Sequence, residues 1–213
     1  MSCPICEKRR PERFCPAKGE KICAVCCGRE REVTIDCPSD CPYLVAAHRY
    51  EREHRKPLAP QDFPYRDIEF SVDFVYERWP VVAGLAAAIL GFHLQNKDLN
   101  DAAIFSALEA LAETLRTLGT GIYYERPPDA PLARSLYAQL AEFIQEAKKQ
   151  ESARTGFSAL KDSEIFRLII FLLRLGKTET NGRPRSRAFL DFLRARFPIP
   201  AEAAKDTSRI IMP

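Results

Sequence analysis

A small metal-stabilised finger followed by an all-α domain is the fold this sequence predicts, and three observations predict it. All eight cysteines of the 213-residue chain fall between Cys3 and Cys41. Beyond residue 57, apolar residues recur at three- and four-residue spacing, the period of a helix packed on one face. Gly, Pro and Asn interrupt those repeats as turn signals. The expected class is mainly α, with a zinc-stabilised, treble-clef-like module over 1–56, a linker over 57–70, an all-α domain over 71–200 and a tail over 201–213.

The ligand candidates are Cys3, Cys6, Cys15, Cys23, Cys26, Cys27, Cys37 and Cys41. Eight thiols supply two tetrahedral all-thiolate sites, so two structural Zn2+ ions are the expected cofactors. The competing use, disulfides, needs an oxidising compartment. Cys3 follows Met1 and Ser2 directly and Glu7–Arg13 is charged, so the start lacks the apolar core of a signal peptide. A reduced, cytoplasmic location is the expectation. The compact ferredoxin cysteine run is absent, and a vicinal Cys26–Cys27 redox pair would not be free if zinc held it. Fewer than 60 residues with few large aliphatics do not offset their own chain entropy, so folding of the module should depend on metal.

Within the module, Cys3-Pro4-Ile5-Cys6 reads as a turn whose amides face thiolates, with Gly19 and Gly28 giving backbone freedom near other ligands. Pro42 suits a first helical position, which puts Cys41 at the N-cap of a helix running to Arg55, where the dipole favours a thiolate. His48 and His54 are expected on a solvated face of that helix. A C-x2-C pair, an interior cysteine cluster and a closing C-x3-C resemble the cross-brace zinc fingers of the MYND and HIT types over residues 3–41. In those families alternate ligand pairs share a metal. The resemblance therefore implies one site of Cys3, Cys6, Cys23 and either Cys26 or Cys27, and a second of Cys15, Cys37, Cys41 and the remaining vicinal cysteine. It also implies a protein-interaction finger with structural zinc. The Cys26-Cys27-Gly28 motif resembles the N-terminal zinc module of a group of bacterial proteins, a likeness that implies no activity.

The linker is rich in Pro and charge. Ile68, Phe70, Val72 and Phe74 alternate with polar residues, as in a strand or, better for a segment with nothing to pair with, an extended stretch lying on helices. Trp79-Pro80 opens a helix apolar almost all round, expected to be the central one. Asn100 or Asp98 caps the next, which Gly119 ends. Further helices are expected over 131–150, from Asp162 or Ser163 to Gly176, and over 186–196. Tyr123-Tyr124 reads as interhelical packing and the Ile210-Ile211-Met212-Pro213 end as an apolar tail that docks.

Charge and motifs narrow the function classes. The longest uncharged apolar run, Val81 to Phe92, falls short of a membrane span, so no membrane partner is expected. Residues 1–56 carry +3, but eight thiolates lower that by eight and two dications raise it by four, leaving −1. The finger's net charge therefore gives no argument for nucleic acid. Residues 174–196 do carry an excess: Arg174, Lys177, Arg183, Arg185, Arg187, Arg194 and Arg196 against Glu179 and Asp191. A basic loop over 177–187 with Arg183, Arg185 and Arg187 as phosphate contacts is thus the alternative to a protein partner. The common nucleophile, zinc-hydrolase and nucleotide-loop motifs are missing, Glu109 and Glu113 read as a solvated helix face, and His93 as packing. A non-catalytic adaptor is the leading expectation, and nothing in the sequence fixes an oligomeric state.

Overall fold

The structure, a computed structural model, describes residues 2–119, 121, 124–155 and 160–197. It is mainly helical, with a cysteine cluster at the N-terminal end and a single two-stranded sheet among the described residues. Strand β1 (Arg13–Cys15) pairs antiparallel with β2 (Glu20–Ile22). The connection closes at Gly19, whose φ of 68° is left-handed and whose amide donates to the Cys15 carbonyl at 2.9 Å. Three-residue strands are too short for alternation to register, so this hairpin has no counterpart in the sequence pattern.

Helix α1 (Ala24–Glu30) follows at once and α2 (Pro42–Glu53) begins where Pro42 foretold. After a 3₁₀ turn at Pro60–Asp62, the stretch with alternating apolar residues divides in two. Ile68 and Phe70 lie against the helical core as a docked segment would, following a turn in which Tyr65, at φ 51°, packs on the same core. Val72–Glu77 instead forms helix α3, capped by the Ser71 hydroxyl, which accepts the Phe74 amide at 3.2 Å. Arg174 holds the docked segment by donating to the carbonyls of Pro64, Tyr65 and Ile68, and the Tyr65 hydroxyl donates to Glu113 at 2.6 Å.

The body consists of α4 (Trp79–Gln95), α5 (Asp101–Gly119), α6 (Pro131–Thr155), α7 (Asp162–Glu179) and α8 (Ala188–Arg196). Leu85, Ile89, Ile104, Leu108, Leu136, Leu140, Ile165 and Leu168 form its fully buried centre. The central helix is α5, which packs on α6, α7 and α8, rather than α4. Gly84 lets α4 pack closely on α6: the Phe143 ring lies over it, where an added Cβ would stand 2.2 Å from its Cζ. Asn100 caps α5 by accepting the Ala103 amide at 3.0 Å. Helix α7 starts one residue earlier than an Asp162 cap implies and two earlier than a Ser163 cap, with Lys161 at its N-cap, and continues past Gly176 to Glu179. Gly176 is a packing glycine: an added Cβ would lie 2.4 Å from the Phe105 ring. Tyr123 and the 201–213 tail lie outside the described residues, and Tyr124 is exposed.

Candidate metal centre

Local backbone brings four cysteines to one point. The Cys3-to-Cys6 turn is closed by the Cys3 amide on the Arg9 carbonyl at 2.8 Å and the Glu7 amide on the Cys3 carbonyl at 2.7 Å. Beyond the hairpin, Cys23 is the N-cap of α1 and Cys26 sits in its first turn. The Sγ atoms of Cys3, Cys6, Cys23 and Cys26 all lie within 4.8 Å of one another, and those of Cys6 and Cys23 are 3.9 Å apart. A tetrahedron with metal–sulfur bonds of about 2.3 Å has edges of about 3.8 Å, so the spacing fits one ion held by four sulfurs.

The electrostatics also fit a shared cation. The amides of Lys8 and Arg9 donate to Cys6 and pull its thiol down to about 6. Burial opposes ionisation of Cys3, yet amides from Cys23, Cys6 and Ile5 outweigh it and leave that thiol below its ordinary value. Cys26 is pushed up to about 12, first by burial and then by crowding from the Cys23, Cys6 and Cys3 sulfurs. Four thiols so close do not all ionise unless positive charge joins them, and a coordinating thiol is deprotonated outright. The amides of Cys23 and Cys26 donate to the sulfurs of Cys3 and Cys23 at 3.3 and 3.4 Å, the outer support such ligands need.

The other four cysteines share a different place. Cys15, Cys27, Cys37 and Cys41 line one nearly closed cavity of about 10 Å³, walled by Ile22, Ile35 and Leu44. That is the room of a single water-sized sphere. Burial raises the Cys37 thiol, a backbone hydrogen bond from Glu32 opposes this, and negative charge on Cys41 and Cys15 adds to the rise. Among the described residues, only the first quartet converges within 4.8 Å.

The three arginines offered to phosphate lie at the seam between finger and helical body. Arg183 Nη1 donates to the carbonyls of Gly28 and Arg31 at 3.1 and 2.6 Å. Arg187 is buried, and its guanidinium donates to the carbonyls of Leu99, Cys37 and Lys97 and pairs with Asp36 at 2.9 Å. Arg185 keeps its side chain exposed while its amide donates to the Glu32 carbonyl at 2.9 Å.

Glu32 is the centre of this seam and no sequence signal marks it. It is buried, with a left-handed φ of 52°, a conformation a non-glycine residue keeps only when its surroundings impose it. Its carboxylate accepts from His48 at 2.9 Å, Asn181 at 2.7 Å and the Arg187 amide at 3.1 Å. His48, read as solvated from the sequence, is therefore buried at the seam, whereas His54 is exposed and stacks on Tyr50. Asp101 performs the same service one layer deeper, accepting from the Ser186 and Thr180 hydroxyls and the amides of Phe189 and Leu190. The Asn181-Gly182 turn, with Gly182 at φ 71°, is the one visible sign that the chain reverses here.

No helix among the described residues is long and apolar enough to cross a membrane. No protein-family model matches the chain, and neither a curated protein nor a solved structure matches it.

Proposed function

We propose that this is a non-catalytic zinc-binding protein whose finger is a cytoplasmic protein-interaction, or adaptor, module folded by two structural zinc ions. Cys3, Cys6, Cys23 and Cys26 hold one ion, and Cys15, Cys27, Cys37 and Cys41 hold the other. The observation that carries the reading is the closed first quartet. Four protein sulfurs within 4.8 Å complete a tetrahedron and leave no position for water or substrate, the hallmark of structural rather than catalytic zinc. The order of knuckle, hairpin and a helix that begins on a ligand supports a treble-clef-type finger.

The helical body adds support for a protein partner. Val72 and Tyr76, one turn apart on α3, and Trp79 at the start of α4 are exposed beside a groove of about 370 Å³ lined by Phe70, Val75 and Phe171. Contiguous exposed apolar surface of this kind fits the apolar side of another protein. Of the three arginines in the nucleic-acid alternative, only Arg185 has an exposed side chain to offer.

Elemental analysis of protein purified under reducing conditions tests the metal. Two zincs per chain in a colourless solution, falling to one in Cys6→Ser and in Cys27→Ser, is the expected result. One zinc, or iron with visible absorption, overturns it. For the adaptor role, a photo-crosslinker at Tyr76 is expected to capture one predominant protein, and Trp79→Ala to abolish the capture. Capture that Trp79→Ala leaves unchanged, or none, overturns it.

A further inference from the structure

Two grooves on the helical body share one wall. Phe70 of the docked segment and Phe171 of α7 pack edge to face, ring centroids 5.9 Å apart, and both rings line both grooves. On one side of the pair lies the apolar groove of Val72, Tyr76 and Trp79, which no charged residue lines among the described residues. On the other lies a groove of about 460 Å³ in which Phe63 and Leu175 stand with two arginines, Arg66 and Arg174. Those two are its only charged lining residues among the described ones. The acidic residues of the same segment, Asp62, Asp67 and Glu69, line neither groove.

Neither arginine is answered by a carboxylate. The Arg66 side chain is exposed and makes no hydrogen bond or ion pair among the described residues. Arg174 donates from Nε and Nη2 to the carbonyls of Pro64, Tyr65 and Ile68 and stands 5.1 Å from the centroid of the Phe70 ring, while its Nη1 has no described partner. Arg167, one turn before Phe171 on α7, repeats the pattern: it donates to the Glu69 carbonyl and lies 4.3 Å from the centroid of the Phe74 ring. All of these partners are neutral, so the positive charge that holds the segment down remains uncompensated at the wall of an apolar groove.

We propose that the partner bound at this surface presents a short acidic amphipathic segment. Its large apolar side chains fill the groove beside Val72, Tyr76 and Trp79, and an Asp or Glu carboxylate reaches Arg66 and Arg174 on the far side of the Phe70 and Phe171 rings. The proposal rests on the protein-partner reading above and adds the partner's chemistry. Charge complementarity decides it: a carboxylate brings charge-assisted hydrogen bonds to guanidinium groups that now meet only neutral acceptors or none. A nucleic-acid strand would bring phosphate to the same arginines, but the adjoining groove, with no cation in its lining, offers the rest of its backbone nothing. Each groove lies within the range of roughly 300 to 1,000 Å³ that binding clefts occupy. An amphipathic segment laid along an apolar groove is a recurrent mode of peptide recognition.

The test selects random peptides displayed on phage with the full chain, purified under reducing conditions, as bait. Enriched sequences are expected to place Asp or Glu within one helical turn of two large apolar residues. Their affinity is expected to fall at least about tenfold in Arg66→Glu and in Tyr76→Ala, the loss of a charged contact and of an aromatic anchor. It is expected to hold in Arg126→Glu, an equal change of charge at an exposed residue that lines neither groove. Arg66 and Tyr76 are both exposed, and an unchanged Tm in each variant shows the fold intact. Enriched peptides without an acid, binding that Arg66→Glu leaves unchanged, or no enrichment overturns the proposal. A photo-crosslinker at Tyr76 that joins to residues 198–213 of the same chain also overturns it, by making the occupant this chain's own tail. Cellular capture at Tyr76 that persists in Arg66→Glu overturns the proposal and leaves the partner reading standing, whereas no capture overturns both.

Discussion

The His48 imidazole Nε2 lies 2.9 Å from a Glu32 carboxylate oxygen, with 8 % of His48 and 1 % of Glu32 exposed. One residue comes from the helix that starts on Cys41 and the other from a left-handed turn that the body's arginines clasp. Burial works against the charge on both. For Glu32 it is outweighed by His48, Asn181 and the Arg187 amide, so the carboxyl lies below its ordinary range. For His48 it is outweighed by Glu32 and by the charges of Asp191 and Glu51, so the imidazole lies above its own.

This pair gives stability an asymmetric pH profile. The Glu32 contribution is present above its ordinary 4.5 and is lost as pH falls through the depressed folded value. The His48 contribution is complete below its ordinary 6.5 and is lost as pH rises through the raised folded value. Urea unfolding is therefore expected to show a decline on the alkaline side that His48→Gln removes. Glu32→Ala, which strands His48, Asn181 and the Arg187 amide, is expected to cost about 3 to 5 kcal/mol. A loss under about 1 kcal/mol would show that the seam is not a buried charged contact.

His93 predicts a slope on the acid side. Burial, then the charges of Arg194, Lys97 and Arg187, pull its imidazole down to about 4 from 6.5, so it is neutral in the folded chain. Between those values the unfolded chain binds a proton that the folded chain refuses, and stability is lost as pH falls through that window, by up to about 3 kcal/mol. His93→Gln is expected to flatten the slope between pH 6.5 and 4 relative to wild type. An identical slope in the variant would assign the acid sensitivity elsewhere.

Two helical glycines should respond in opposite directions to alanine. At Gly176 the new Cβ meets Phe105 at 2.4 Å and Phe189 at 3.2 Å, so Gly176→Ala is expected to destabilise by about 1 to 3 kcal/mol. At Gly91 the new Cβ meets nothing within 4 Å, and Gly91→Ala is expected to stabilise by up to about 1 kcal/mol through helix propensity. Thermal unfolding of the two variants checks the pair. A rise in Tm for Gly176→Ala would mean that the Phe105 and Phe189 rings move aside at no cost.

What the sequence made legible is what repeats or sits at a boundary. Trp79-Pro80, Asn100, Gly119 and Pro42 mark helix ends correctly because each acts on the backbone beside it. Gly176 misled because a glycine that stops a helix and one that admits an aromatic ring are the same letter, and only the distant Phe105 tells them apart. Val72 and Phe74 alternate like a strand, yet six residues capped by Ser71 form a helix turn as readily. At the metal centre, the resemblance to cross-brace fingers implied a group of Cys3, Cys6 and Cys23 and left Cys26 and Cys27 open. The choice falls to Cys26 because Cys23 caps α1, and a sulfur three residues on points back at the cap. Glu32 and Asp101 were illegible, since all their partners but His48, 16 residues from Glu32, lie about 80 to 155 residues away in sequence and no local pattern records them.

Arg174 anchors the chain at Pro64, Tyr65 and Ile68, so the strip joining α2 to the body is paid out from a fixed point. Between the end of α2 at Glu53 and Tyr65 there are about a dozen residues, a leash of roughly 40 Å at full extension. A finger that lets go of its seat therefore remains at an effective concentration near the millimolar range. Its return is first-order, independent of how dilute the protein is, and a competitor for the vacated carbonyls of Gly28, Arg31 and Cys37 must outbid a neighbour that never diffuses away.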